Sequence, residues 1–196
     1  MSGFKSIESA IEAFRDGSMI IVVDDENREN EGDFIIAADK ITPENINFMI
    51  KKGKGLLCMP ITLDTAQRLH LNPMVGNNTS LHETAFTVSV DARDKTSTGI
   101  SAKDRWETIQ VIINENSKPA DLARPGHMFP LIAKEGGVLQ RAGHTEAAVD
   151  LAVLAECSPA AVLVEIVDND GSMARLDRLK EISKIYNLPL VTIADL

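Results

Sequence analysis

The chain has 196 residues and a formal net charge of −9, and 44% of its residues are hydrophobic. This length suits one domain, 1–196, with enough apolar residues for a substantial core. The acidic balance argues against a nucleic-acid partner and against an anionic membrane surface. Two cysteines without metal-type spacing, no apolar run that could span a bilayer and no signal-peptide pattern predict a cytoplasmic protein without a membrane partner.

Apolar periodicity, caps and breakers predict helices interspersed with short strands. The first helix is capped by Ser6 and ended by Gly17, and the second is opened by Thr42-Pro43 and broken at Gly53. Further helices are predicted at 62–69, 102–114, 145–157 and 175–186. Apolar or alternating runs predict strands at 19–23, 34–36, 56–59, 84–90, 131–133, 161–167 and 190–193.

The other segments are predicted to be irregular. Residues 71–83 show no period, Pro60 is expected to end the third strand, and three prolines make 116–130 irregular. Several connections between strands are too short for a parallel crossover. The sequence therefore predicts an α+β fold, a three-layer α/β/α sandwich with a mixed β-sheet.

Six acids and one arginine fall within 24–33, DDENRENEGD, between the first two strands. Carboxylates this crowded repel one another unless a cation neutralises them, and hard oxygen ligands suit magnesium, manganese or calcium. The spacing does not fit an EF-hand, because Asn30 and Ile36 occupy the Gly and Glu positions when Asp25 is the first ligand. The segment is therefore either a solvated loop or part of a metal site completed by distant residues.

Two later segments carry groups that are typical of catalytic sites. His127 follows Gly126 between two prolines, which would hold it rigidly for proton transfer, although a lone histidine is more often structural. The segment 141–146, RAGHTE, contains a candidate phosphate-binding site, formed by Arg141 and the start of a helix. His144 in the same segment is a candidate metal ligand.

Three further candidates have an equally simple structural interpretation. Thr98 and Ser101 belong to a hydroxyl-bearing turn that could merely cap the following helix. Glu165 lies in an apolar strand, where an acid is either partnered, catalytic or on a solvent-exposed face. Cys58 is expected to pack in the core rather than to act as a nucleophile.

Five motifs in chain order resemble the 3,4-dihydroxy-2-butanone-4-phosphate synthase family of riboflavin biosynthesis. They are 24–33, 84–90 (TAFTVSV), 98–101 (TGIS), 125–130 (PGHMFP) and 141–146 (RAGHTE), and the resemblance covers essentially the whole chain. The chain departs from the family's common pattern at Glu83, where glycine is usual. The resemblance implies a lyase that converts D-ribulose 5-phosphate into L-3,4-dihydroxy-2-butanone 4-phosphate and formate through a metal-stabilised enediolate.

The resemblance also implies roles for individual residues. Glu29 and His144 would hold magnesium or manganese, two ions per site, and His127, Glu165 and Asp33 would be catalytic. Substrate would contact the residues around them, namely Arg28, Glu29, Asp33, Thr98, Ser101, Arg141, Ala142, Gly143, His144 and Thr145. Glu26, Glu31 and Cys58 would line the same site. The family is dimeric with sites shared between subunits, so a homodimer is expected.

Other functions stay open at the level of sequence. A regulatory module built on 24–33 would bind a divalent cation but no sugar phosphate. A nucleotide- or RNA-binding domain of similar fold is disfavoured by the net charge and by the lack of a basic, aromatic stripe. Because family members also occur fused ahead of a GTP cyclohydrolase II domain, the chain could be part of a bifunctional protein.

Overall fold

The computed structural model describes residues 3–196, which form six α-helices and seven β-strands. The helices are α1 (Ile7–Arg15), α2 (Pro43–Lys52), α3 (Leu63–Arg68), α4 (Ala102–Ile113), α5 (His144–Leu154) and α6 (Leu176–Tyr186). The strands are β1 (Ile20–Val23), β2 (Gly32–Ala37), β3 (Cys58–Ile61), β4 (Val90–Ala92), β5 (Leu122–Ile132), β6 (Ala161–Glu165) and β7 (Leu190–Thr192). None of the helices within 3–196 is long and apolar enough to cross a membrane.

The strands form one mixed sheet in the order β4-β5-β3-β6-β2-β1-β7. β1 pairs with β7, and β3 with β5, in parallel, whereas the other neighbours are antiparallel. In β2, Phe34 and Ile36 face a core shared with α2, α3, α4 and α6, while Ile35 and Ala37 face a second core shared with α1 and α5. The predicted three-layer sandwich with a mixed sheet is therefore confirmed.

The predicted helix starts carry the expected caps. The Ser6 hydroxyl accepts a hydrogen bond from the backbone N–H of Ser9, and Thr42 accepts one from Asn45. The Ser101 hydroxyl accepts one from the N–H of Asp104 at 3.0 Å. Each cap satisfies an N–H group that the first turn of a helix leaves without a partner.

The prediction that Pro60 ends the third strand is wrong, because β3 continues through it to Ile61. The Ile61 carbonyl accepts a hydrogen bond from the N–H of Ala133 at 3.0 Å, so position 61 faces β5 and position 60 faces β6. The ladder between β3 and β6 pairs Cys58 with Leu163 and does not include Pro60. The register continues at an isolated bridge between Ile61 and Ala160, so the missing N–H of Pro60 leaves only a local gap in the ladder between β3 and β6.

The prediction of an irregular segment at 116–130 is also wrong from Leu122 onward, since β5 runs from Leu122 to Ile132 inside the sheet. The register against β4 shifts between Val90 and Asp91, which places Pro125 in a bulge outside the ladder. Conversely, most of the strand predicted at 84–90 contributes only isolated bridges, and β4 itself starts at Val90.

One end of the sheet gathers the chemically active groups. The loop 24–31 joins β1 to β2, and the antiparallel register places Asp33 at the start of β2 opposite Glu165 at the end of β6. Cys58 at the start of β3 pairs with Leu163, so β3 begins at the same end. The first residue of α5, His144, lies 3.2 Å from the carbonyl of Val22 in β1.

Candidate active site

The acidic loop 24–31 is a folded structure that is organised by Asp24. The Asp24 side chain is fully buried, and its Oδ2 accepts hydrogen bonds from Arg28 Nη1 at 2.9 Å and from the N–H of Glu29 at 3.0 Å. Its Oδ1 accepts a third from the N–H of Glu31 at 2.8 Å. Arg175, at the N-cap of α6, donates to the Glu29 carbonyl at 3.0 Å. These bonds position the loop's other carboxylates, so the interpretation as a solvated loop no longer holds.

Glu29 and His144 come together although 115 positions separate them in the sequence. The distance from Glu29 Oε2 to His144 Nδ1 is 3.7 Å, and His144 Nε2 donates to the Val22 carbonyl, which leaves Nδ1 facing Glu29. The His144 contact, supported by Arg28, lowers the pKa of Glu29 to about 2 despite its burial. Burial alone would lower the pKa of His144, but the charges of Asp33 and Glu29 outweigh it and raise this pKa to about 9. The space between the two side chains therefore attracts positive charge.

The donor atoms at this position fit a divalent cation. One ligand atom from each of Asp24, Glu29 and His144 lies within 4.8 Å of the others. Because Asp24 uses both oxygens within the loop, Glu29 and His144 are the donors available to an ion. Carboxylate oxygen and imidazole nitrogen suit magnesium or manganese, and the acids Glu31 and Asp33 line the same cavity.

Asp33 and Glu165 form a pair of carboxylates at the bottom of the site. Asp33 is 2% exposed, and its Oδ1 has no hydrogen-bond partner within 3–196. Burial, reinforced by the charges of Glu165 and Glu31, raises the pKa of Asp33 to about 7. Glu165 accepts a hydrogen bond from the N–H of Leu56 at 2.8 Å. A buried acid that titrates near neutrality can exchange protons with a bound molecule.

The buried Asp33 carboxyl predicts a pH-dependent stability. Between about pH 4 and pH 7 the folded state keeps this proton while the unfolded state loses it, so the free energy of unfolding falls as the pH rises. The loss should reach on the order of 4 kcal/mol when the pH passes the folded pKa. Urea unfolding at several pH values, with a chelator present, should show this decline in the wild type and not in Asp33→Asn. Parallel curves for the two proteins would contradict the assignment.

Arg141 is held in place by three partners. Its Nη1 lies 2.5 Å from Glu146 Oε2, its Nε donates to the His82 carbonyl at 3.0 Å, and its Nη2 donates to Thr84 Oγ1 at 3.0 Å. Glu146 is 1% exposed and also accepts from the N–H of Lys134. Sequence reasoning missed Glu146 as a site residue, although the RAGHTE motif contains it. The guanidinium is therefore preorganised at the edge of the cavity.

Arg28 joins Arg141 at the start of α5. A Cβ atom on Gly143, the N-cap of this helix, would lie 2.3 Å from Arg141 Nη1 and 3.0 Å from Arg28 Nη2. Gly143 provides no side-chain cap, and the next residues, His144 and Thr145, are buried in the first turn. Two guanidinium groups and a helix N-terminus thus surround one point, an arrangement that suits a phosphate group.

The close approach at Gly143 predicts that Gly143→Ala weakens phosphate binding. The backbone there, with φ −115° and ψ 161°, accepts alanine, so the added methyl group acts by displacing the Arg141 guanidinium. We expect the affinity for inorganic phosphate, measured by titration calorimetry, to fall about 10-fold or more, the value of one charged hydrogen bond. Gly76→Ala is the matched control, because a Cβ atom at Gly76 meets nothing within 4 Å. An unchanged phosphate affinity in Gly143→Ala would argue against a phosphate-binding site at this position.

Glu83 has a left-handed backbone conformation, with φ +55°. Such a conformation explains why glycine is usual at this position in the family that the chain resembles. The carboxylate of Glu83 points away from Arg141 to Lys134 Nζ, at 3.1 Å. Its neighbours, His82 and Thr84, are the residues that hold Arg141. The unusual glutamate therefore leaves the hydrogen bonds from Arg141 to His82 and Thr84 intact.

Most of the site residues that the sequence suggested line one cavity of about 120 Å³. The members of the predicted set found there are Arg28, Glu29, Glu31, Asp33, Cys58, Arg141, His144, Thr145 and Glu165. Gly143 lies against Arg141 beside it, whereas Ala142 and Glu26 line a neighbouring cavity of about 410 Å³. Burial raises the pKa of the Cys58 thiol well above its ordinary value, which supports packing rather than nucleophilic attack.

Thr98, Ser101 and His127 do not line this cavity within the single chain. Ser101 caps α4, and the turn before it is held by Asp104, which accepts hydrogen bonds from Ser97 and Gly99. His127 lies in β5 beside β4, and its side chain is 43% exposed. The chain therefore carries two separate groups of candidate residues.

The chain is similar to known proteins over nearly its whole length. Residues 8–196 match the family described as 3,4-dihydroxy-2-butanone 4-phosphate synthase. The riboflavin biosynthesis protein RibBA of Cytophaga hutchinsonii is 60% identical over 97% of this chain, and that of Bacillus cereus (strain B4264) is 59% identical over 98%. The chain spans about half the length of these curated relatives, 47% and 48% respectively.

A solved structure of 3,4-dihydroxy-2-butanone 4-phosphate synthase in complex with two magnesium ions superposes with a TM-score of 0.95. It is 41% identical and covers 98% of this chain and 94% of its own. RibBX from A. baumannii, a two-domain synthase, has a TM-score of 0.94 and 44% identity, covering 97% of this chain and 56% of its own. The fold, the identity and the extent of these matches agree, and this chain belongs to the 3,4-dihydroxy-2-butanone 4-phosphate synthase family of riboflavin biosynthesis.

Proposed function

We propose that this chain converts D-ribulose 5-phosphate into L-3,4-dihydroxy-2-butanone 4-phosphate and formate. The observation that carries this proposal is that one cavity combines a cation-attracting pair, Glu29 and His144, with an anion seat at Arg28 and Arg141. A regulatory metal module would need the first and not the second. The two products together contain the atoms of the substrate, so the reaction requires proton movements and carbon rearrangement without an external oxidant.

Glu29 and His144 would hold the divalent cation in this proposal. Magnesium is the ion in the related synthase complex, which contains two of them, and the same donors suit manganese. When bound, the cation would stabilise the negative charge that proton loss leaves on the sugar oxygens. Arg141 and the first turn of α5, including Thr145, would bind the phosphate, and Arg28 would approach it from the acidic loop.

Asp33 and Glu165 are the groups that we propose for proton transfer inside the cavity. The reaction removes a proton next to the ketone, expels a hydroxyl group and releases formate, so acids and bases must act at different carbons. Asp33 Oδ1 has no partner within the described residues, and Glu165 uses only Oε2 for its bond to Leu56. Each residue therefore has one carboxylate oxygen that forms no hydrogen bond within the described residues. His127 would supply a further proton-handling group.

We also infer a homodimer with shared sites, because the two groups of candidate residues are separate in one chain. Leu81 and Leu139 are 89% and 92% exposed, and both are near Arg141 in sequence or through its His82 contact. Ile100 is 51% exposed and follows Gly99, which contacts His127. Both groups of residues are thus flanked by exposed apolar side chains, which a second copy of the chain would cover.

A formate assay tests the proposed reaction directly. Purified protein with ribulose 5-phosphate and magnesium should release formate and the four-carbon ketone phosphate in equal amounts. Chelation should stop the release, and added magnesium should restore it. Ribulose without its phosphate should react poorly, because it has no phosphate group to bind Arg28 and Arg141. Absence of formate from ribulose 5-phosphate with magnesium present would refute the proposal.

A further inference from the structure

His127 has a dedicated acidic partner, Asp91, which lies in the neighbouring strand β4 beside the bulge of β5 that contains His127. Asp91 Oδ1 accepts the backbone N–H of His127 at 2.8 Å, and Asp91 Oδ2 lies 2.8 Å from His127 Nδ1. Because a carboxylate only accepts hydrogen bonds, the ring nitrogen that faces it carries the proton. In a neutral imidazole the other nitrogen, Nε2, is then free to accept a proton.

The surrounding backbone is built closely around this contact. The register shift between Val90 and Asp91 bulges β5, and a Cβ atom on Gly126 would lie 2.0 Å from the Val90 backbone. Gly99, with φ +86°, covers the other side, and a Cβ atom there would lie 2.1 Å from Asp91 Oδ2 and 2.6 Å from His127 Nδ1. Only glycine fits at this point, so the aspartate and the imidazole are enclosed from two directions.

The bonding of Asp91 differs from that of the structural carboxylates in this protein. Asp24 and Asp104 each accept three hydrogen bonds that hold a loop or turn. Within 3–196, Asp91 accepts hydrogen bonds from His127 alone. The other charged group that faces it is Arg105 of α4, whose Nε donates to the Ile100 carbonyl. The Asp91 side chain is only 13% exposed, so this carboxylate is largely buried and its hydrogen bonds go to one histidine.

We propose that Asp91 is a positioning residue that fixes the tautomer and the orientation of His127, so that Nε2 can take up or deliver a proton in the reaction. The inference rests on the proposed function for its catalytic consequence. The arrangement follows the general logic of a base oriented by a third group, in which the acid selects the productive tautomer. The Asp91 contact fixes one end of the imidazole ring, and the other end is left to solvent or to a second subunit.

Asp91→Asn tests this role, because it keeps the shape of the side chain and removes its charge. We expect kcat for formate release to fall about 10²-fold or more with the KM for ribulose 5-phosphate unchanged. Asp94→Asn, at an exposed position three residues after Asp91, makes the same change in charge and should leave both measurements unaltered.

Ring nitrogen NMR separates this inference from the proposed reaction. In the wild type, His127 should show a proton on Nδ1 and a free Nε2 at high pH, and Asp91→Asn should shift this tautomer equilibrium. A wild-type Nε2–H tautomer would overturn the inference whether or not formate is formed. A variant with full kcat, or one with lower kcat but an unchanged tautomer, would also overturn it. Failure of the formate assay alone would refute only the reaction.

Discussion

Replacing Glu29 with glutamine is expected to reduce magnesium-dependent formate release about 10³-fold or more, the scale of losing one preorganised stabilising group. Glutamine keeps the size of the side chain but removes the negative charge that faces His144 Nδ1. The amide would also remove the counter-charge that Arg28 meets at 2.6 Å. Magnesium affinity should fall in parallel, and titration calorimetry can measure this loss independently of turnover.

The matched control for Glu29→Gln is Asp25→Asn. Asp25 belongs to the same loop and its side chain is exposed, with Oδ1 accepting the N–H of Asn27, a bond that asparagine can keep. This control should retain near wild-type formate release and magnesium affinity. Full magnesium-dependent activity in Glu29→Gln would mean that the cation is held elsewhere, and the assignment of Glu29 and His144 would then fail.

Heterodimers made from two inactive variants are expected to regain activity. If one subunit supplies Glu29 and its partner supplies His127, a heterodimer of Glu29→Gln with His127→Ala contains one site with both residues intact. Such heterodimers, purified through two different tags, should reach about half of the wild-type rate per dimer, because one of two symmetric sites is restored. Each parent homodimer should stay near background.

A second pair of variants provides the control for this experiment. Glu29 and Asp33 line the same cavity of one chain. A heterodimer of Glu29→Gln with Asp33→Asn therefore has one defect in each site and should remain inactive. No recovery in the His127 pairing, despite confirmed heterodimers, would mean that His127 acts within its own chain or outside the reaction.

Local signals in the sequence were sufficient for the helices and for the acidic loop. The caps at Ser6, Thr42 and Ser101 form as expected, because capping depends on residues three positions apart. The mixed sheet followed from short connections. By contrast, the sequence predicts that Pro60 ends a strand and that the prolines of 116–130 prevent one, whereas the sheet accepts Pro60 at a local gap in a ladder and Pro125 at a bulge. This tolerance depends on strand neighbours and register, which the local sequence does not contain.

The candidate site shows the same division between local and distant information. Glu29 and Arg28 stood out through composition, and His144 through its motif. Asp24 was counted among the acids of the loop, yet its burial and its three loop hydrogen bonds appear only in the folded chain. Asp91, which lies 36 positions from His127, gave no signal because only the strand register brings the two together.

The frame of bonds around Asp24 and Arg175 has a consequence for how the protein responds when magnesium is scarce. Small zinc domains collapse without their ion, since the ion is what folds them. Here internal hydrogen bonds define the shape of the loop that carries Glu29, so we expect the protein to stay folded after it loses magnesium. When magnesium is added back, activity would return as fast as the ion binds, because no part of the protein has to refold first.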